Sequence, residues 1–171
     1  MNDLRGAMRT FATGVCVATT YRDTPGGRCH DAVTVNSLGS ISLEPPLVSL
    51  SFRRESAFLG DLLATGRWVV SILPADARDV ARRFAGPRAS RVVAGLKAKP
   101  GERTGALVLD GASWLECALA ERIDLGDHTL VVGEVLATGQ DRHAPALVFV
   151  HGGYHSITDP RQGPGQWGEA L

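Results

Sequence analysis

Two hydrophobic periods run along this chain. Leu4, Met8 and Phe11 stand at i, i+4 and i+7, with Asp3 before them and Gly14 after, and predict one short amphipathic helix. Beyond it the apolar residues fall into short β-rich blocks. These are Val15–Thr20, Cys29–Val35 after a Pro-Gly-Gly turn at 25–27, Ile41–Leu43, and Leu47–Phe52 behind the Pro45-Pro46 pair. Ser56 is placed to cap a helix over Ala57–Thr65, in which Phe58, Leu59, Leu62 and Leu63 are apolar and Gly66 is the C-terminal stop. Trp68–Leu73 reads as a buried strand. Asp76 is placed to cap another helix, Ala77–Ala85, with Val80, Ala81 and Phe84 on one face and Gly86-Pro87 ending it.

The stretch 86–106 is turn-rich and long for a structureless loop, and a helical turn near Arg91–Leu96 is expected to shorten it. Trp114–Ile123 and Thr129–Leu136 flank Asp124–Asp127 and predict a long antiparallel hairpin; Ala146–His151 follows as a last strand. The tail from Asp159 is rich in Gly and Pro and is expected to fray. Seven or eight strands with three short helices, in no regular alternation, argue against a parallel βαβ sheet. They predict a mainly β, antiparallel barrel or sandwich with helices covering its ends. A length of 171 residues favours one domain over 1–171, with a core of about 5–157 and a tail over 158–171.

Charge narrows the partners. Lys+Arg and Asp+Glu both number 18, so the basic footprint of a nucleic-acid binder is missing. No run approaches the ~18 apolar residues of a membrane span, and the charged opening MNDLRGAMRTF lacks the apolar region of a signal peptide. No nucleic acid, no membrane and a cytoplasmic location are the expectations. Cys16, Cys29 and Cys117 show no C-x-x-C spacing, and Cys16 and Cys117 lie in apolar runs, so they read as buried free thiols without chemistry.

No G-x-S-x-G, H-E-x-x-H, P-loop or Rossmann glycine pattern occurs. His30, His128, His143, His151 and His155 are scattered, and no metal site is expected. The segment Thr34–Leu47, continued through Ser51–Ser56, is different: it concentrates hydroxyls, an amide and two arginines. Arg53, Arg54 and the Ser56 cap suit a dianionic phosphate, and Thr34–Ser42 suits the polar edge of an isoalloxazine, so the segment fits a flavin mononucleotide. Composition alone favours a plainer reading, in which the hydroxyls are the polar face of a strand and Arg53-Arg54 a solvated turn.

Order along the chain reverses that balance. Met8-Arg-Thr-Phe-Ala-Thr-Gly-Val, T-V-N-S-x-x-S-I-S-L-E-P-P-L, G-R-W-V-V-S-I-L, A-R-R-F-A-G, V-L-D-G-A-x-W-L-E-C and G-D-H-T-L-V-V-G-E-V follow one another over about residues 5–157. In this succession the sequence resembles the flavin reductase family of FMN-binding split barrels, the reductase components of two-component monooxygenases. The resemblance implies a Greek-key split β-barrel, a homodimer with flavin near the subunit interface, and reduction of FMN or FAD by NADH or NADPH. It also implies a partner monooxygenase that receives the diffusible reduced flavin.

By position, the resemblance puts Thr34, Val35, Asn36 and Ser37 along the isoalloxazine, with Ser40 and Ser42 continuing that segment. Ser51, Arg53 and Ser56 match the ribityl and phosphate segment. Arg83, Phe84 and Ala85 match the family's R-F-A, where flavin or nicotinamide nucleotide is covered. His128 matches the G-D-H histidine that faces the nicotinamide, and Tyr154 falls in a turn at the barrel mouth. Core or turn packing remains open for Phe84 and Tyr154, and an exposed hairpin position for His128. Three departures stand out: Gly39 where relatives commonly carry a hydroxyl, Asp31-Ala32 where a His-Gly pair is common, and the stretch Arg88–Thr104. Two other functions stay open, a non-catalytic flavin-binding dimer and a split-barrel flavoenzyme with tightly bound FMN and a different second substrate.

Overall fold

Short apolar blocks broken by Pro and Gly become strands because their alternate residues can be buried on opposite faces of a sheet. The computed structural model describes residues 3–140 and 144–157. Its strands are β1 (Thr13–Gly14), β2 (Cys16–Thr24), β3 (Gly27–Val35), β4 (Gly39–Leu43), β5 (Pro46–Arg53), β6 (Arg67–Ile72), β7 (Ala98–Pro100), β8 (Leu107–Leu109), β9 (Ser113–Leu125), β10 (His128–Gly139), β11 (Ala146–Val150) and β12 (Gly153–Ile157). The helices are α1 (Leu4–Met8), α2 (Ala57–Thr65) and α3 (Arg78–Ala85). A seven-stranded antiparallel sheet has the order β3-β2-β6-β9-β10-β5-β4, beside a three-stranded sheet β1-β11-β12 and the pair β7-β8.

The large sheet has to curl. Its edge strands, β3 and β4, are joined by residues 36–38 alone. Six inter-strand steps in a flat sheet would separate them by roughly 29 Å. The connection reaches only about 14 Å when fully extended. The edges therefore approach without pairing to each other, and the result is the split, mainly β, antiparallel barrel that the family resemblance implied.

Both faces of this sheet are covered, which explains why Val15–Ala18 is apolar without alternation. Cys16 and Ala18 point into the barrel core with Leu50, Trp68, Cys117 and Val131, onto which α2 packs Phe58, Leu59 and Leu62. Val15 and Val17 point the other way, into a second core with Leu73, Ala81, Phe84 and Leu147. That core lies under α3 and the small sheet.

The helix over Ala57–Thr65 has the anticipated limits: Ser56 Oγ accepts from Leu59 N at 3.4 Å, and Gly66 at φ 62° ends it in the left-handed region. Four other expectations are corrected. Asp76 does not cap a helix; it sits in a 3-10 turn over Ala75–Ala77, and α3 starts at Arg78 without a side-chain cap. The hairpin of β9 and β10 closes more tightly, on Gly126-Asp127, because ladder pairing continues to Leu125 and His128. In the stretch 86–106 the helical turn is a 3-10 turn at Arg88–Ser90, and β7 follows it. Tyr154, expected in a turn, lies instead in β12, which pairs with β11. The stretch 158–171 lies outside the described residues. No helix among the described residues is long and apolar enough to cross a membrane.

Candidate functional site

The end of β3, the connection after it and the end of β5 border a cavity of about 660 Å³. That lies within the ~300–1,000 Å³ of ordinary ligand pockets. Its wall is built from five pieces of chain: Val33–Ser37, Ser51–Arg53, Glu55-Ser56, Ala85 and His128. Nine of the fourteen residues singled out from the sequence meet here: Thr34, Val35, Asn36, Ser37, Ser51, Arg53, Ser56, Ala85 and His128.

Each piece is held for a local reason. At the end of β5, Ser56 N donates to Arg53 O at 3.0 Å and Arg54 N to Asp127 O at 3.2 Å, so the chain turns sharply into α2. Arg53 and Ser56, the cap of α2, are thereby brought together on the cavity wall. Backbone N–H groups of a first helical turn lack intrahelical acceptors, and with a neighbouring guanidinium they suit an anion. Ser37 Oγ donates to Ser51 O at 3.3 Å and accepts from Ser51 N at 3.1 Å. This hydroxyl stitches the 36–38 connection to β5. Thr34 Oγ1 donates to Ala81 O at 2.6 Å, anchoring α3 to β3, while Val35 is buried in the barrel core.

His128 opens β10 directly opposite Arg53 of β5. Its Nδ1 lies 2.7 Å from Asp127 Oδ1, and this bond holds the Asp127 carboxyl below the usual carboxylate range. With a carboxylate as acceptor, Nδ1 carries the proton, and a neutral ring then keeps Nε2 as an acceptor.

The other five residues do not line this cavity. Ser40 is exposed on β4, and Ser42 Oγ accepts from Glu44 N at 3.2 Å. Arg83 Nη2 donates to Ala94 O at 2.7 Å. Phe84 is fully buried in the second core, and Tyr154 lies in β12, edge-on to Phe149 with ring centroids 5.3 Å apart. Conversely, Val33, Phe52 and Glu55 line the cavity without having been singled out. Strand alternation with Val35 was the available signal for Val33, and adjacency to Ser56 for Glu55.

A second, largely apolar hollow of about 670 Å³ lies beside the first and shares Asn36 and Ser37 with it; α1, Phe11 and Phe149 line it. The thiols of Cys16 and Cys117 are free and buried, and burial pushes both up to about 12, which removes thiolate chemistry near neutral pH. No group of His, Cys, Asp and Glu among the described residues could hold a metal ion.

Residues 8–158 match the family model described as "Flavin reductase like domain". A probable flavin reductase of Rhizobium meliloti is 32% identical over 151 residues, covering 88% of this chain and 47% of that protein; the chain spans about half its length. The reductase subunit HsaB of a flavin-dependent monooxygenase from Mycobacterium tuberculosis is 30% identical over 176 residues, covering 98% of this chain and 88% of that protein. Among solved structures, BorF, the flavin reductase component of a bacterial two-component tryptophan halogenase, superposes with a TM-score of 0.82 at 38% identity, covering 91% of this chain and 97% of that one. SgcE6 of Streptomyces globisporus, an NADH:FAD oxidoreductase in complex with NAD and FAD fragments, gives 0.84 at 30% identity, covering 94% and 93%.

Proposed function

The chain belongs to the flavin reductase-like domain family, and from that premise we propose that it is an NAD(P)H-dependent flavin reductase. It takes hydride from NADH or NADPH, delivers it to FMN or FAD, and so supplies reduced flavin to a partner monooxygenase. In this reading it works as a single cytoplasmic domain. The observation that carries the proposal is the meeting of Arg53, Ser56, Asn36, Ser37 and His128 around one cavity, though they come from four separate stretches of sequence.

The cavity fits a flavin on its own chemistry. Its wall combines the guanidinium of Arg53 beside the start of α2, the polar residues Asn36 and Ser37, and the partly buried apolar Val33. Arg53 and Ser56 would hold the phosphate, and residues 34–37 the edge of the ring system. Hydride donor and acceptor are both supplied by the cofactors, so this chain needs no nucleophile and no strong base. Its residues bind, orient and shield: His128 borders the mouth, where it would position the nicotinamide, and Ala85 closes the side toward α3.

A homodimer belongs to the same proposal. Leu4, Met8 and Phe11 are more than half exposed at the second hollow and on α1, and Ile41 and Leu43 on the edge strand β4 are 51% and 78% exposed. A second copy would cover such a face beside the candidate site. NADH and NADPH oxidation, each measured with FMN, FAD and riboflavin, tests the activity. Turnover that depends on added flavin is expected; flavin binding without turnover by either nucleotide would instead favour a non-catalytic flavin-binding protein.

A further inference from the structure

The segment after α3 carries a charged cluster that the chemistry above does not use. Asp31, only 5% exposed on β3, forms an ion pair with Arg88, whose Nε lies 3.2 Å from Oδ2 without hydrogen-bond geometry, and its Oδ1 accepts from Ala32 N at 2.8 Å. The same Arg88 guanidinium donates through Nη2 to Asp61 on α2. Arg91 flanks the pair, with Nη1 at 3.9 Å from Asp31 Oδ1 and donating to Ala32 O at 3.2 Å.

The positions of these charges in the chain give the cluster its meaning. Asp31 lies three residues before Thr34 on the strand that forms the ring-edge wall, and Asp61 five residues after Ser56 on the helix whose start forms the anion wall. Arg88 lies three residues after Ala85, which closes the side. One guanidinium thus joins three walls of the cavity from outside it, since neither Arg88 nor its two carboxylates line the cavity. A planar fork suits that task, because it meets two carboxylates in fixed directions.

We propose that Arg88 is a positioning residue of the candidate flavin site, fixing the spacing between β3 and the start of α2 by bridging Asp31 and Asp61. The proposal rests on the flavin reading of that cavity. A ligand that engages both walls at once, ring on one and phosphate on the other, depends on their spacing; a ligand lacking the phosphate depends on one wall only.

Equilibrium binding of FMN and riboflavin to the full chain, followed by quenching of flavin fluorescence, tests it in Arg88→Met, Arg88→Lys and Asp61→Asn. Loss of the bridge should weaken FMN about tenfold in Arg88→Met and Asp61→Asn while riboflavin changes less than about twofold, as expected when geometry slips without loss of a contact. Arg88→Lys, which keeps a cation between the carboxylates but loses the planar fork, should weaken FMN by an amount between that of Arg88→Met and the unaltered chain. Asp61→Asn is decisive, because removing a negative charge near the phosphate would strengthen FMN binding if Arg88 acted only through its field. The same variant keeps the proposal falsifiable if Arg88→Met fails to fold. Tighter FMN binding in Asp61→Asn, equal losses for both flavins, or no change would overturn the proposal. Failure of the unaltered chain to bind either flavin would overturn the flavin reading itself.

Discussion

His128 stands directly opposite Arg53 across the β5–β10 ladder. Directly opposed residues of an antiparallel pair project from the same face, so one strand pairing delivers an imidazole and a guanidinium to the same cavity. The pairing also separates their tasks, because Arg53 adjoins the start of α2 and His128 adjoins the hairpin turn.

Arg53→Ala is expected to weaken FMN much more than riboflavin. A charge-assisted hydrogen bond to phosphate contributes about 1.5–3 kcal/mol, and riboflavin has no phosphate to lose it. The expected loss is roughly ten- to hundredfold in Kd for FMN. Equal losses for the two flavins would show that Arg53 does not serve the phosphate.

His128→Ala should lower kcat/KM for NADH about tenfold, the effect of one ~1.4 kcal/mol positioning contact, with flavin affinity little changed. Steady-state kinetics beside flavin titration separates the two roles. Normal NADH kinetics would return His128 to an exposed hairpin residue.

Two glycine-to-alanine changes should shift stability in opposite directions. At Gly133 on β10 a new Cβ would run into the ring of the fully buried Trp68 and lie 3.1 Å from Cys117 Cβ. Overpacking of this kind costs about 1–3 kcal/mol. At Gly60 inside α2 a Cβ meets nothing within 4 Å. There alanine should add roughly 0.5–1 kcal/mol by restricting the unfolded chain and favouring the helix. Urea midpoints of the two variants read both signs, and a destabilised Gly60→Ala would mean that the exposed face of α2 is covered in solution.

The tip of the β9–β10 hairpin should loosen in acid. Hydrogen bonds from Arg122 and Thr129 hold the Asp124 carboxyl below its ordinary value, and the bond to His128 does the same for Asp127. Depressed folded-state values mean that these groups stabilise the fold fully above the unfolded value of about 4. The contribution disappears as pH falls through the depressed values. Carboxyl titration by NMR should place both midpoints below 4, and Arg122→Ala should move that of Asp124 upward.

Light scattering is expected to report about twice the 18.1 kDa chain mass. A monomer at the concentrations where flavin reduction is measured would contradict the proposed dimer.

Local chemistry made much of the molecule legible in one dimension. Ser56 and Gly66 delimit α2 because a cap hydroxyl and a left-handed residue act over a few neighbours. Strand blocks announced themselves by alternation and by Pro and Gly at their ends, and the order of motifs from Met8 to Val135 carried the family. What alternation cannot supply is which strands become neighbours. The Ser37–Ser51 bonds that tie the connection after β3 to β5, and the facing of His128 and Arg53, depend on contacts between distant segments. The family resemblance put Phe84 and Tyr154 among the site candidates with core or turn packing left open, and only tertiary structure shows Phe84 inside the second core and Tyr154 packed against it. Arg88 shows it most plainly. In sequence it is one arginine in a turn-rich stretch, and it becomes a bridge because folding sets Asp31 and Asp61, thirty residues apart, on either side of it.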